Sequence, residues 1–285
     1  DIKSIYRMFR LIQGDVGSGK TILALVLAAK VCKSNYQVAY MAPTEILSIQ
    51  QYEQTKKLLH GTNINCALLT RNTVNKDEII ENLETGKISF VVGTHSLFQK
   101  KVRFKNLGLI IIDEQHKFGV KQRISLARKG GNNCDVLLMS ATPIPRTMMM
   151  SLYGDMDISK LTEKPLNRKK ILTLVKPENK MHEIIPLLKK QLQKNNQIFW
   201  VCPLIEKSKK LNFTSSIEKY NSIKNIFPNN VGIIHGNLDE SEKNLAIKNF
   251  IDKKINIMVC TTVIEVGIDI PSANTIIIED ANKFG

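Results

Sequence analysis

Apolar residues in this 285-residue chain come in short unbroken runs, separated by longer stretches of mixed polarity. The runs at residues 10–13, 38–41, 67–70, 90–93, 109–112 and 136–140 have the length of strands, and the most apolar of them read as buried on both faces. Between them, 22–32, 46–60 and 76–84 read as helices. Alternation of this kind predicts a parallel sheet with helices packed on it. The stretch 161–170 breaks the pattern: it holds Pro165 and the basic cluster Arg168-Lys169-Lys170, and it reads as a linker. The alternation then restarts, with strands expected at 171–175, 197–201, 231–235, 257–260 and 275–279 and helices at 181–193 and 240–251. The expected architecture is α/β with two domains, 1–160 and 161–285. The halves share this pattern but no sequence repeat.

Composition narrows the class. A hydrophobic content of 43% and a charged content of 24% suit a soluble globular chain. No apolar run reaches the roughly 20 residues of a membrane span, no signal peptide is visible, and the chain starts at Asp1 rather than Met, as a fragment or processed chain would. Five cysteines (Cys32, Cys66, Cys134, Cys202, Cys260) stand far apart with no C-x-x-C pair, which argues against a disulfide framework and a zinc site and for a reducing, cytoplasmic compartment. The net charge is +15, and both halves are basic: 22 Lys+Arg against 13 Asp+Glu in residues 1–160, and 19 against 13 in the remainder. That excess suits a polyanionic partner, although a chain rich in Lys, Ile and Asn carries such an excess without a binding face.

Chemistry enters with Gly14-Asp15-Val16-Gly17-Ser18-Gly19-Lys20-Thr21, a full G-x-x-x-x-G-K-[ST] pattern between the apolar Leu11-Ile12 and a run of helix formers. Glycines let the backbone wrap phosphate oxygens, and the loop N–H groups with the helix N-terminus supply positive potential. Lys20 is placed to reach β- and γ-phosphates, and the Thr21 hydroxyl to bind Mg²⁺. Further on, Leu109-Ile110-Ile111-Ile112 runs straight into Asp113-Glu114. An open α/β sheet binds ligands just beyond its strand ends, and two adjacent carboxylates there need a reason such as a cation. Asp113 fits the second Mg²⁺ ligand, and Glu114 the group that orients or deprotonates the attacking water. The expected reaction is in-line attack of water on the γ-phosphate of a nucleoside triphosphate.

Four further segments follow expected strands: Ala42-Pro43-Thr44-Glu45-Ile46-Leu47, Gly93-Thr94-His95-Ser96-Leu97-Phe98, Ser140-Ala141-Thr142-Pro143-Ile144-Pro145-Arg146-Thr147 and the stretch from Thr261-Thr262 to Pro271. Hydroxyl groups and backbone N–H groups beyond strand ends can hold phosphate oxygens, and each segment alone also suits a turn or helix cap. Together, GDVGSGKT, APTEIL, GTHSLF, DEQHKFGV, SATPIPRT, VCPLIE and TTVIEVGIDIP resemble a superfamily 2 helicase core, and more narrowly the RecG family of ATP-dependent branched-DNA translocases. Gln115 and Glu45 favour RecG over the transcription-repair coupling translocase, which typically shows DEEH.

The resemblance implies two tandem RecA-like domains with parallel sheets, the second incomplete at its C-terminus. It implies ATP and Mg²⁺ as cofactors, branched or forked DNA as partner, and a monomer. Gln115 and His116 match the part of the tetrad that couples the nucleotide site to the second lobe, and Gly267 and Asp269 match nucleotide-facing positions. Pro43, Thr44, Thr94, His95, Thr261 and Thr262 match DNA-backbone contacts. Ser140, Ala141 and Thr142 match the segment linking hydrolysis to movement, and Arg146 marks the subgroup. Lys117 departs from the usual Arg, and Asn237 stands where a basic residue is common. The adenine-reading glutamine segment, the arginine-finger motif, the wedge domain and a C-terminal hairpin are not in the chain, which implies an interior piece of a larger motor with weak turnover by itself. A P-loop enzyme acting on a small molecule and a non-catalytic ATP-dependent binding module are the rival readings. APTEIL and TTVIEVG argue against the first, and Glu114 against the second.

Overall fold

The computed structural model describes residues 4, 6–114, 129, 131, 134–142, 156–163, 170–203, 209–261 and 270–284. The chain divides into two compact units, Asp1–Lys170 and Ile171–Gly285.

The first unit is built on a sheet of seven strands: β1 (Phe9–Gly14), β2 (Gln37–Met41), β3 (Cys66–Leu69), β4 (Phe90–Gly93), β5 (Leu107–Ile112), β6 (Asp135–Ser140) and β7 (Asp157–Leu161). They lie in the order β3-β4-β2-β5-β6-β1-β7, and every pairing is parallel. Helices α1 (Lys20–Lys33), α2 (Glu45–Leu58) and α3 (Lys76–Thr85) connect the early strands. Strands β2 and β4 are buried along their whole length, as strands covered on both faces must be. Leu11, Met41, Leu69, Leu97, Ile110 and Ile112 anchor the core cluster.

The second unit carries β8 (Gln197–Val201), β9 (Val231–Ile234), β10 (Ile257–Cys260) and β11 (Ala273–Ile278) in the order β11-β8-β10-β9, again all parallel. Its helices are α4 (Ile184–Gln193), α5 (Lys209–Ile226) and α6 (Glu240–Ile251). Asp239 opens α6 with a reciprocal capping box to Glu242, which satisfies two backbone donors at once. Ile198, Trp200, Ile223, Ile257 and Val259 form the core.

Three elements differ from the sequence pattern. The strand expected at 171–175 is not formed; Ile171, Leu172, Leu174 and Val175 are 78%, 81%, 63% and 95% exposed. An apolar run becomes a strand only where a neighbouring edge takes up its hydrogen bonds, and no described strand pairs with this one. Strand β7 was not expected, because an edge strand with one neighbour needs little apolar content; it reads Asp-Ile-Ser-Lys-Leu and pairs only with β1. It carries the first sheet one residue past 160. Helix α5, interrupted by Ser and Asn, has weak intrinsic propensity there; burial of Ile223 fixes it to the core.

A repeat that the sequence conceals appears at the amino ends of β2 and β8. The buried Gln37 amide donates to the carbonyls of Leu83 and Ile88, both at 2.8 Å, and its Oε1 accepts from the Asn106 N–H at 2.9 Å. Buried Gln197 donates to the carbonyls of Phe250 and Ile255, and its Oε1 accepts from the Ser272 hydroxyl. In each unit one glutamine ties the end of a helix (α3 or α6) to the loop that precedes a neighbouring strand (β5 or β11).

Candidate functional site

The segments singled out in the first unit stand at the carboxyl end of its sheet, where such sheets bind ligands. The strand order sorts them. Strands β1, β6 and β5 carry the glycine loop, Ser140-Ala141-Thr142 and Asp113-Glu114; β2 and β4 carry Pro43-Thr44 and Thr94-His95.

The glycine loop leaves β1 and ends on α1. Gly17 and Gly19 take φ of 81° and 91°, the left-handed region that costs glycine little. The Ser18 N–H donates to the Asp15 carbonyl at 3.1 Å, and the Val16 N–H to the Asp15 carboxylate at 2.8 Å. Lys20 is buried; its Nζ donates to the carbonyls of Gly14 (2.7 Å) and Asp15 (2.9 Å) and so spans the loop from beneath. Helix α1 begins with no side-chain cap and no acidic residue in its first turn, so its positive end remains available to an anion. The Ser18 hydroxyl is buried and has no partner among the described residues. A phosphate oxygen would satisfy it.

Asp113 continues the β5–β2 ladder, its N–H donating to the Met41 carbonyl at 2.9 Å. Its Oδ1 accepts from the Glu114 N–H at 2.9 Å and its Oδ2 from the Tyr40 hydroxyl at 3.0 Å. Burial, and then the neighbouring Glu114 charge, push the Asp113 carboxyl up to about 6, against the opposing pull of Tyr40, the Glu114 amide and Lys20. Its hydrogen bonds therefore do not offset its burial, and a divalent cation would. With the Thr21 hydroxyl, the donor set is all oxygen, which suits Mg²⁺.

Glu114 is 6% exposed and has φ of 45°. In an extended strand its side chain would oppose that of Asp113. The left-handed residue ends the strand instead, and Oε2 of Glu114 accepts from the Ala141 N–H at 3.4 Å. The segment beyond β6 is itself folded tightly: the Thr142 N–H donates to the Ser140 hydroxyl at 3.2 Å, and Gln13 Nε2 donates to the Thr142 carbonyl at 3.1 Å.

On the other half of the edge, Thr44 caps α2 by accepting from the Leu47 N–H at 3.4 Å. Glu45 bridges to the β3 end through Thr70 (2.6 Å) and Asn72 (2.7 Å). Pro43 and Thr44 are half-buried, as is Thr94, and His95 is exposed at the start of a 3-10 turn. In the second unit Thr261 follows β10; it is 2% exposed, and its hydroxyl has no partner among the described residues. Gln115, His116, Lys117, Arg146, Thr262, Gly267 and Asp269 lie outside the described residues.

Two residues at this edge escaped the sequence reading. Gln13 holds Thr142, and Tyr40 holds Asp113. A tyrosine inside a wholly buried strand was the available signal, since a buried phenol requires a partner.

Residues 2–151 match the family described as DEAD/DEAH box helicase, and residues 179–284 match the helicase conserved C-terminal domain. The chain belongs to the DEAD/DEAH box helicases. Within these helicases it resembles RecG. The ATP-dependent DNA helicase RecG of Aquifex aeolicus is 46% identical over 289 residues, which cover 100% of this chain and 36% of that protein. RecG of Thermotoga maritima is 45% identical over 100% of this chain and 37% of its own length. The helicase chain thus spans well under half the length of these relatives. A solved structure of RecG bound to a three-way DNA junction matches with a TM-score of 0.81 at 40% identity, over 97% of this chain and 36% of that one. Mss116p bound to ssRNA and AMP-PNP matches with a TM-score of 0.68 at 19% identity and covers 96% of this chain and 61% of its own; it bears on fold alone. The architecture is that of the helicase core, two tandem RecA-like domains with parallel sheets.

Proposed function

We propose that the protein carrying this chain is an ATP-dependent DNA translocase that remodels branched DNA, such as stalled forks and Holliday junctions, as a cytoplasmic monomer. The observation that supports the reading most is the meeting, at one sheet edge, of Lys20 under the glycine loop with Asp113 and Glu114. In this reading the loop from Gly14 to Thr21 wraps the triphosphate and Lys20 releases its loop carbonyls to bind β- and γ-phosphate oxygens. Glu114 orients a water and accepts its proton during in-line attack. Mg²⁺, held by Thr21 and Asp113, would neutralise charge on the phosphate oxygens.

Pro43, Thr44, Thr94 and His95 then track the DNA backbone from the first unit, with Thr261 and Thr262 from the second, aided by the +15 charge. Ser140, Ala141 and Thr142 relay the state of Glu114, with Arg146 in the same segment. Gln115, His116, Gly267 and Asp269 complete the nucleotide contacts.

The test is ATP hydrolysis by the full-length protein that carries this chain, with and without a three-way DNA junction, beside binding of the same junction and of linear duplex. Tight junction binding and stimulated hydrolysis, lost in Glu114→Gln, support the reading. Hydrolysis indifferent to DNA points to a small-molecule enzyme. DNA binding with ATP but without hydrolysis points to a binding module. Either outcome overturns the proposal.

A further inference from the structure

Tyr40 is fully buried in β2, between Ala39 and Met41. A phenylalanine would fill the same volume with no polar group to satisfy, so the hydroxyl at this position has to be explained by its bonds. It donates to Oδ2 of Asp113 at 3.0 Å. One side chain of β2 therefore holds a residue read above as a Mg²⁺ ligand, 73 positions further along the chain.

The strand register explains the reach. Tyr40 pairs with Ile111, and Asp113 lies two residues further on, directly after β5 and still bonded to β2, so the side chains of Tyr40 and Asp113 emerge on one face. The backbone fixes the spacing, because the Asp113 N–H is bonded to Met41. Each oxygen of the Asp113 carboxylate is thereby engaged once: Oδ1 by the Glu114 N–H and Oδ2 by Tyr40. Two anchors on different oxygens lock the carboxyl plane, a torsion that is otherwise soft. Every carboxylate oxygen keeps a second lone pair, so both anchors are compatible with a metal. Burial, and then the Asp113 charge, raise the phenol's pKa well above its ordinary value, and Tyr40 stays a donor.

We propose that Tyr40 is a positioning residue for divalent-cation binding, its phenol holding the Asp113 carboxylate in the arrangement that accepts the metal. The inference rests on the reading of Thr21 and Asp113 as metal ligands. Outer partners of this kind shift metal affinity by roughly 10- to 100-fold when removed.

The experiment measures binding of a fluorescent ATP analogue to the full chain, in EDTA and across a MgCl₂ titration, for the wild type, Tyr40→Phe and Asp113→Asn, with a urea unfolding curve for each. In Tyr40→Phe the half-saturating Mg²⁺ concentration rises roughly tenfold, while affinity in EDTA stays at the wild-type value. An unchanged Mg²⁺ midpoint in Tyr40→Phe, with a shifted one in Asp113→Asn, overturns the role of Tyr40 and leaves the metal site standing. A fall in affinity of equal size with and without Mg²⁺ also overturns it, since that marks a structural loss. A wild-type Mg²⁺ midpoint in Asp113→Asn sinks the underlying reading of the ligands instead.

Discussion

The Ala141 N–H donates to the Glu114 carboxylate at 3.4 Å, so the end of β5 and the segment beyond β6 meet on one side chain. A long bond to an anion is easily exchanged for another donor. Substitution of the carboxylate by its amide leaves an oxygen to accept from Ala141 but no base for water. Glu114→Gln is therefore expected to fold and to bind nucleotide as the wild type does, with hydrolysis reduced roughly 10²- to 10⁴-fold. Equilibrium nucleotide binding beside single-turnover hydrolysis checks this; a loss of binding as large as the loss of rate would refute it.

Gly14 joins the sheet to the glycine loop where there is no room for a side chain. A Cβ there would lie 2.5 Å from the Ser18 hydroxyl oxygen and 3.0 Å from the Leu161 carbonyl oxygen. Ser18 can turn, but Leu161 is held in register with Gly14 by the β1–β7 ladder. Gly14→Ala is expected to cost about 1–3 kcal/mol by overpacking and to weaken nucleotide binding as the loop shifts. Urea denaturation with a nucleotide titration measures both effects, and a wild-type unfolding curve would show that β7 yields.

Asp113 makes the first unit sensitive to pH when Mg²⁺ is withheld. Its carboxyl is raised from 3.8 to about 6, with burial the main cause and Glu114 the next. A raised acid binds its proton more tightly in the folded chain, so its contribution to stability is fully present below about pH 4 and is lost as pH rises through about 6. Asp113→Asn removes that loss. Asparagine can accept only one of the two hydrogen bonds that the carboxylate accepts, so the expected gain at pH 7 is only roughly 1–2 kcal/mol. Thermal unfolding from pH 4 to pH 8 in EDTA should show a flatter profile for the variant, and parallel profiles would contradict the assignment.

What the sequence discloses about this site follows the distance over which each feature is encoded. The glycine loop and Asp113-Glu114 are each contiguous, so both stand out as candidates before any fold is known. Tyr40 could not, because its partner is 73 residues away and only the β2–β5 register brings the two together. The same holds for Gln37 and Leu83, which are 46 apart. Strand content followed apolar content wherever strands are buried on both faces, as in β2, β4 and β10. It failed at β7, a half-polar edge, and at 171–175, where apolar residues stay exposed. In both cases the outcome depends on the presence of a neighbouring strand, and a single segment does not encode its neighbours.

The cysteines offer a check on burial that is independent of the nucleotide site. Burial raises the thiols of Cys32, Cys134 and Cys202 to about 12 and that of Cys260 higher still. Cys66 is only half-buried and rises to about 11. The thiolate is the nucleophile, so at pH 8 alkylation of the native chain should be slower than for a free thiol by a factor on the order of 100 or more, with Cys66 the first to react. In denaturant all five should label at once. Mass spectrometry of partly labelled protein settles the order; early labelling of Cys260 would contradict the packing of β10.

Gln37 and Gln197 are each expected to hold their own unit and not the other. Each is buried, and its amide pairs groups with no other described partner: the Ile88 carbonyl and the Asn106 N–H for Gln37, the Ile255 carbonyl and the Ser272 hydroxyl for Gln197. Leucine would fill the volume and leave those groups unpaired, and each orphaned group costs about 1–3 kcal/mol. Gln37→Leu and Gln197→Leu should therefore each destabilise by roughly 2–4 kcal/mol. Because the residues lie in separate compact units, the losses should be local and additive. Hydrogen exchange read by peptide resolves them: Gln37→Leu should deprotect β2, β4 and β5 while β8 and β10 keep wild-type rates, and Gln197→Leu should do the reverse. Loss of protection in both sheets from either substitution would mean that the two units unfold as one.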